Sequence, residues 1–179
     1  DVEPFKELIA KEHKMADEPK VVVAEKKYAL QETQQNEVVI APYDAKNIYL
    51  MQIHNENKPW TADSEPTVTL FNEYFGGGMN TIVFQELREA RGLAYSASAW
   101  YNTPSVKEDP EWYYTNIISQ NDKMMDCISV FNNILDEMPQ SENAFNVAKQ
   151  ALTKSLESRR TTRFSVLYKY LSNKYLGID

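Results

Sequence analysis

The sequence predicts an α+β protein: a mostly antiparallel sheet layered with helices, in the order β-β-α-α-β-β-α-α-α. Three observations carry this. Strand-like and helix-like segments do not alternate one by one, as a doubly wound parallel sheet would require. The strand-like runs come in two consecutive pairs, each joined by a loop that suits antiparallel partners. The last third of the chain is a series of apolar stripes at helical spacing.

Residues 1–19, DVEPFKELIAKEHKMADEP, are polar. They allow a short helix from Pro4 to Met15 with Phe5, Leu8 and Ile9 as its stripe. Residues 20–32 hold a short β-like run, Val21-Val22-Val23. Residues 1–32 therefore read as a linker or docking segment, and 33–179 as a single α+β domain.

EVVIAP (37–42) is the first expected strand and NIYLMQIH (47–54) the second, with PYDAKN between them as a hairpin loop. The second strand is apolar on both alternating faces, which predicts a central position in its sheet. A helix is expected to start at Asp63 or Ser64, both good N-caps, with Pro66 tolerated in the first turn. Val68, Phe71 and Phe75 share one face of it, and Gly76 is a natural stop. A second helix starts near Asn80, with Ile82, Val83 and Leu87 as apolar contacts. Gly92 sits where a left-handed residue would end it, with Leu87 and Leu93 in contact across the cap.

LAYSASAWYN (93–102) and EWYYTNIIS (111–119) predict a long hairpin. Leu93, Tyr95, Ala97, Ala99 and Tyr101 are expected on one face of its first strand. Met124, Cys127, Ile128, Phe131, Ile134, Leu135 and Met138 follow i, i+3, i+4, i+7 spacing, and Pro139 ends that helix. Ser141 caps the next, with Phe145, Ala148, Leu152 and Leu156 along its stripe. A last helix near 164–176 carries Val166, Leu167, Tyr170 and Leu171. Its pattern runs to the end of the chain, so the domain is expected to be cut at its C-terminus, a piece of something longer.

Composition limits the function. The 179 residues carry a net charge of -7, which argues against a general nucleic-acid binder or a basic membrane-surface module. No apolar run approaches the length of a membrane span. Cys127 is the only cysteine, so no internal disulfide and no cysteine zinc site can form. Cytoplasm and periplasm both remain open. His13 and His54, the only histidines, are far apart and make no HxxEH or HExxH motif, so no metal ligands are assigned. His54 reads as a polar surface residue and Cys127 as core.

Two constellations remain. Gly76, Gly78 and Thr81 form a partial G-x-G-x-x-T before a helix. A dinucleotide fingerprint needs a strand before the glycines, and a Walker loop needs Gly-Lys-Ser/Thr; neither is present. A corner between helices, or close approach by another backbone segment, explains the glycines better. Arg88 and Arg91 lack an acidic residue three or four positions away, so an ordinary helix-surface ion pair does not explain them. They read equally as cations at a helix C-terminus. Tyr95 alone reads as a sheet core residue.

Taken together, YFGGGMNTIVFQELREARGLAYS (74–96) resembles the C-terminal half of insulinase/pitrilysin-type zinc peptidases, which include the mitochondrial processing peptidases. The resembling residues are Gly78-Met79 and Phe84-x-x-Leu87-Arg88-Glu89-x-Arg91-Gly92-Leu93-Ala94-Tyr95. Outside this stretch the likeness rests on element order over 37–176. The resemblance implies two homologous halves facing each other as a clamshell. One half carries HxxEH and zinc. The other lacks metal ligands and contributes an arginine and a tyrosine seven positions apart, the spacing of Arg88 and Tyr95. Zinc in the partner half would activate water. Tyr95 would donate a hydrogen bond to the oxygen that develops charge. Arg88 would hold a nearby substrate carbonyl. This chain has no HxxEH, so alone it is expected to hold no zinc and cleave nothing. Its expected partners are the HxxEH-bearing half, in the same protein or a homologous subunit, and a peptide substrate. A non-catalytic structural half of the same fold is the alternative, and a phosphate- or nucleotide-binding domain a more distant one.

Overall fold

The computed structural model describes residues 2–14, 20–24, 26 and 28–178. The elements are α1 (Val2–Glu12), β1 (Asn47–His54), α2 (Glu65–Phe75), α3 (Ile82–Phe84), a π-helical turn (Gln85–Glu89), β2 (Ala94–Asn102), β3 (Trp112–Gln120), α4 (Met124–Asp136), α5 (Glu142–Ser158) and α6 (Arg163–Leu176). The class is the α+β expected: among the described residues there are six α-helices and an antiparallel sheet.

That sheet has three strands in the order β1-β3-β2. Two expectations fail here. Residues 37–42 form no strand; Val38, Val39 and Ile40 are all more than 80% exposed. The Val21–Val23 run likewise forms no strand and is exposed. β1 is consequently an edge strand, not a central one; β3 is central. The two-sided apolar pattern of β1 reads as double burial, but helices cover only one sheet face. Leu50 packs toward them, while Tyr49, Met51 and Ile53 on the other face stay exposed.

The core lies between β2–β3 and the layer of α2, α3, the π turn and α4. Phe75, Val83, Leu87, Ala99, Ile117, Cys127 and Phe131 are at most 1% exposed. Each large apolar side chain buried this way contributes about 1.5–3 kcal/mol. Cys127 is core, as its helix position predicted. Ser141 caps α5 by accepting the Ala144 amide at 3.2 Å. α5 is held against α2 through Tyr74, whose hydroxyl donates to the Pro139 carbonyl and whose ring meets Phe145 edge-on.

Where the chain does not fill both sides of an element, its stripe stays open. Phe5, Leu8 and Ile9 of α1 are exposed, and Met15 lies outside the described residues. Val166, Leu167 and Tyr170 of α6 are exposed too. α6 is tied down at its end, where Lys107 donates its amide to the Tyr175 carbonyl at 3.0 Å.

Ser64 precedes α2 as expected but does not cap it with its side chain. Its hydroxyl turns instead to the Thr61 carbonyl and to the buried Glu111 carboxylate, 2.8 Å away. Glu111 is 1% exposed and faces Lys58 at 3.6 Å, so it ties the β2–β3 loop to the segment after β1.

Candidate functional site

The glycines of the 76–81 corner serve packing. A Cβ on Gly76 would sit 1.9 Å from the Ala99 carbonyl oxygen. The two backbones are in direct contact, and the Ala99 amide donates to the Gly76 carbonyl at 3.2 Å. Next to it, Asn72 pairs with both the amide and the carbonyl of Tyr101. The end of α2 therefore seals the edge of β2. The Gly76 and Gly77 amides both donate to the Asn72 carbonyl, and the Thr81 amide to Gly78. These donors are spent inside the corner, which is the close-approach role rather than a phosphate cradle.

Downstream, the helix that starts at Ile82 widens into a π turn, with the Ala90 amide reaching back to Gln85. This changes which side chains meet. Arg91 pairs with Glu86, five positions back, through both its carboxylate and its carbonyl. The ion pair that three- and four-residue spacing excluded exists at the wider spacing, so Arg91 has an ordinary structural explanation. Arg88 does not reach Glu86. It touches its neighbour Glu89 at 3.6 Å and lies over the Phe84 ring, 4.9 Å from its centroid.

Gly92 then turns the chain with φ +59, the left-handed conformation its position predicted. Its amide donates to the Arg88 carbonyl, and the Leu93 amide to that of Leu87. The ammonium of Lys123 bonds the Gly92 carbonyl at 3.1 Å, placing a cation at the helix end.

β2 opens with a bulge. Ala94 pairs with Ser119 and Ser96 with Ile118, so Tyr95 is the extra residue. Tyr95 was expected on the face of Ala97 and Ala99. The bulge breaks the alternation: Ala94 and Ala97 are buried, while Tyr95 is 73% exposed. Its ring lies 5.9 Å from the Arg88 guanidinium. The two residues sit together on the surface, joined by the π turn, the glycine and the bulge. Of the residues near them, Phe84 was visible in the sequence at i−4 from Arg88. Glu86 was not, because only the π turn brings it to Arg91.

The sequence profile of the peptidase M16 inactive domain matches residues 3–152. This chain belongs to the peptidase M16 inactive-domain family. That is the insulinase/pitrilysin resemblance carried by residues 74–96. The solved structure of a peptidase M16 inactive domain from Pseudomonas fluorescens is similar to this M16 domain, with a TM-score of 0.60 at 18% identity. The match covers 76% of this chain and 32% of that one, so the M16 chain described here spans about a third of its relative. At that identity the likeness establishes the fold. No curated protein matches the chain.

His54 of the M16 domain ends β1 on the surface with Glu56 3.4 Å away. Among the described residues no three His, Cys, Asp or Glu side chains gather as a donor set. No helix among them is long and apolar enough to cross a membrane.

Proposed function

We propose that this domain is the substrate-binding, metal-free half of a zinc metallopeptidase that hydrolyses peptides between two facing halves. The observation that carries the reading is the exposed Arg88–Tyr95 pair, which neither core packing nor a strong ion pair explains. Zinc, in this reading, belongs to the HxxEH-bearing half, where it would polarise water. Among the described residues of this chain no donor set gathers for it.

The work assigned to this chain is positioning. The Tyr95 hydroxyl, thrown outward by the bulge, donates a hydrogen bond to a peptide carbonyl oxygen as negative charge develops on it. Arg88, propped on the Phe84 ring, donates to a second backbone carbonyl and fixes the peptide's register. An ionised guanidinium and a neutral hydroxyl suit these two acceptors. Alone, the domain is expected to be inactive.

The test is reconstitution. The domain is combined with an HxxEH-bearing half and assayed on peptides, with Arg88→Ala and Tyr95→Phe beside the unmutated chain. Activity lost in both variants supports the reading. Activity unchanged in both overturns the roles given to these residues. A folded pair of halves with no activity supports the structural alternative.

A further inference from the structure

The sheet has two faces, and the helices cover one of them. On the other, cross-strand neighbours line up in rows. Tyr49, Met51 and Ile53 of β1 stand beside Ile118, Asn116 and Tyr114 of β3. Those three stand in turn beside Ser96, Ser98 and Trp100 of β2. None of the three strands contains Asp, Glu, Lys or Arg, in a chain of which 25% is charged. Under the helices, burial explains that absence. On the open face it does not, because Tyr49, Met51 and Ile53 are 59%, 59% and 56% exposed. A continuous exposed apolar face of this kind marks a contact surface.

One end of the face is aromatic. The Trp100 ring lies 4.9 Å from that of Tyr114, and Trp112 meets Tyr114 edge-on at 5.9 Å. The Trp100 indole N–H donates to the Asn102 side-chain oxygen at 3.1 Å, which fixes the ring. Ile53 flanks Tyr114 on its other side, so Ile53, Tyr114 and Trp100 form a row across the sheet. Rings held in place this way lose little freedom when a ligand covers them. The other end of the face meets the Arg88–Tyr95 pair. The bulge throws Tyr95 out beside Ser96, whose β3 partner is Ile118. Trp100 follows Tyr95 along β2 at a distance of roughly 16 Å of extended chain.

We propose that this open face is a specificity surface for the peptide, and that the row of Ile53, Tyr114 and Trp100 takes a bulky apolar side chain, phenylalanine above all. The inference rests on the reading of Arg88 and Tyr95 as a substrate site. Two observations select a peptide as the occupant. The face is continuous with that pair, so a peptide extended over β2 from Tyr95 crosses it. The face also offers no charge, so it favours neutral apolar residues and rejects acidic ones, which would lose hydration without gaining a partner. The favoured residue lies about five positions from the carbonyl that Tyr95 meets.

Tryptophan fluorescence of the full chain reads this surface, because Trp60, the third tryptophan, is 5% exposed and lies outside it. Short neutral peptides without tryptophan, identical except for Phe, Ala or Asp at one position, are titrated in. The Phe peptide is expected to shift the emission and to bind about tenfold more tightly than the other two. Trp100→Ala should remove that preference, with circular dichroism as the folding control. Ile53→Lys changes an exposed position that the fold does not depend on, and it should turn the preference toward Asp. Equal binding of the three peptides by the unmutated chain overturns the proposal. So does an emission shift that grows with protein concentration without peptide, together with a dimer in sedimentation, which would give the face to a second copy. Arg88→Ala and Tyr95→Phe separate this inference from the reading it rests on. If activity of the reconstituted peptidase withstands both changes while the isolated chain still prefers Phe, the roles given to the pair fail and the apolar surface stands. If activity is lost in both variants but the unmutated chain shows no Phe preference, the surface alone fails.

Discussion

The Arg88 guanidinium lies 5.9 Å from the Tyr95 ring centroid, although a left-handed glycine and a β-bulge separate the two residues in the chain. Both side chains face solvent, with Arg88 45% and Tyr95 73% exposed. Removing either should leave the fold intact. In the reconstituted peptidase, Tyr95→Phe is expected to lower kcat about a hundredfold, as loss of one oxyanion donor does. Arg88→Ala is expected to act more on KM, raising it about tenfold through a lost charged hydrogen bond. Steady-state kinetics on a short peptide, with circular dichroism as the folding control, separates these effects. Equal losses in kcat and none in KM for Arg88→Ala would contradict the positioning role.

Arg91 provides the contrast. Its partner is Glu86, and both are partly exposed, so their ion pair contributes little. Arg91→Ala should change stability by no more than about 0.5 kcal/mol and leave kcat/KM near that of the unmutated protein. A loss as large as that of Arg88→Ala would mean that the π turn sorts the two arginines differently from the reading given above.

Gly76 and Gly78 look alike in sequence and should behave oppositely. A methyl at Gly76 meets the Ala99 backbone, whereas one at Gly78 meets nothing within 4 Å. Gly76→Ala is expected to cost more than about 2 kcal/mol, because two backbones must move apart. Gly78→Ala should fall within about 0.5 kcal/mol of the unmutated protein. Urea midpoints for the two variants decide the matter. Equal midpoints would remove the packing explanation of the triple glycine.

Gly92→Ala tests the turn itself. There is open space for the methyl, so the cost is conformational: about 1–2 kcal/mol for a non-glycine residue at φ +59. Gly92→Asn should cost less, since asparagine tolerates that region better. In the reconstituted peptidase Gly92→Ala should also lower activity beyond its effect on stability, because Arg88 and Tyr95 lie on either side of the turn. Unmoved activity at full folding would show that the pair does not depend on this backbone angle.

Alkaline stability should report Tyr113. Burial pushes its phenol above the ordinary tyrosine value of 10.0, with the Thr115 hydroxyl offsetting part of the effect. Tyr101 is raised as well, by burial first and then by Glu56, with Lys58 opposing. The raised folded value means the unfolded chain ionises first. The stabilisation is fully present below pH 10 and is lost as pH rises through the folded values. Urea midpoints should therefore fall above about pH 10, and fall less steeply in Tyr113→Phe. An identical slope in that variant would assign the alkaline loss elsewhere.

Periodicity was enough for the elements that a single packed face defines. α2, α4 and α5 appear where apolar residues recur at helical spacing, and the β2–β3 hairpin where two apolar runs flank a polar loop. The left-handed Gly92 and the Ser141 cap were legible because each depends on local chemistry that one residue type supplies. Arg88 and Tyr95 were legible as a pair through the family resemblance of the surrounding stretch, not through their own residue types.

The tertiary structure decided what depends on neighbours distant in the chain. It placed β1 at an edge and left 37–42 unpaired, because a strand forms only when a second strand meets its hydrogen bonds. It turned Tyr95 outward through a bulge whose existence is a matter of register with β3, which no count along β2 reveals. It gave Arg91 to Glu86 through a π turn that departs from helical spacing by one residue. It assigned Gly76 to Ala99 because two backbones happen to touch. Local conformational preference and side-chain periodicity are properties of the chain; which groups face one another across a sheet or a corner is a property of the packed molecule.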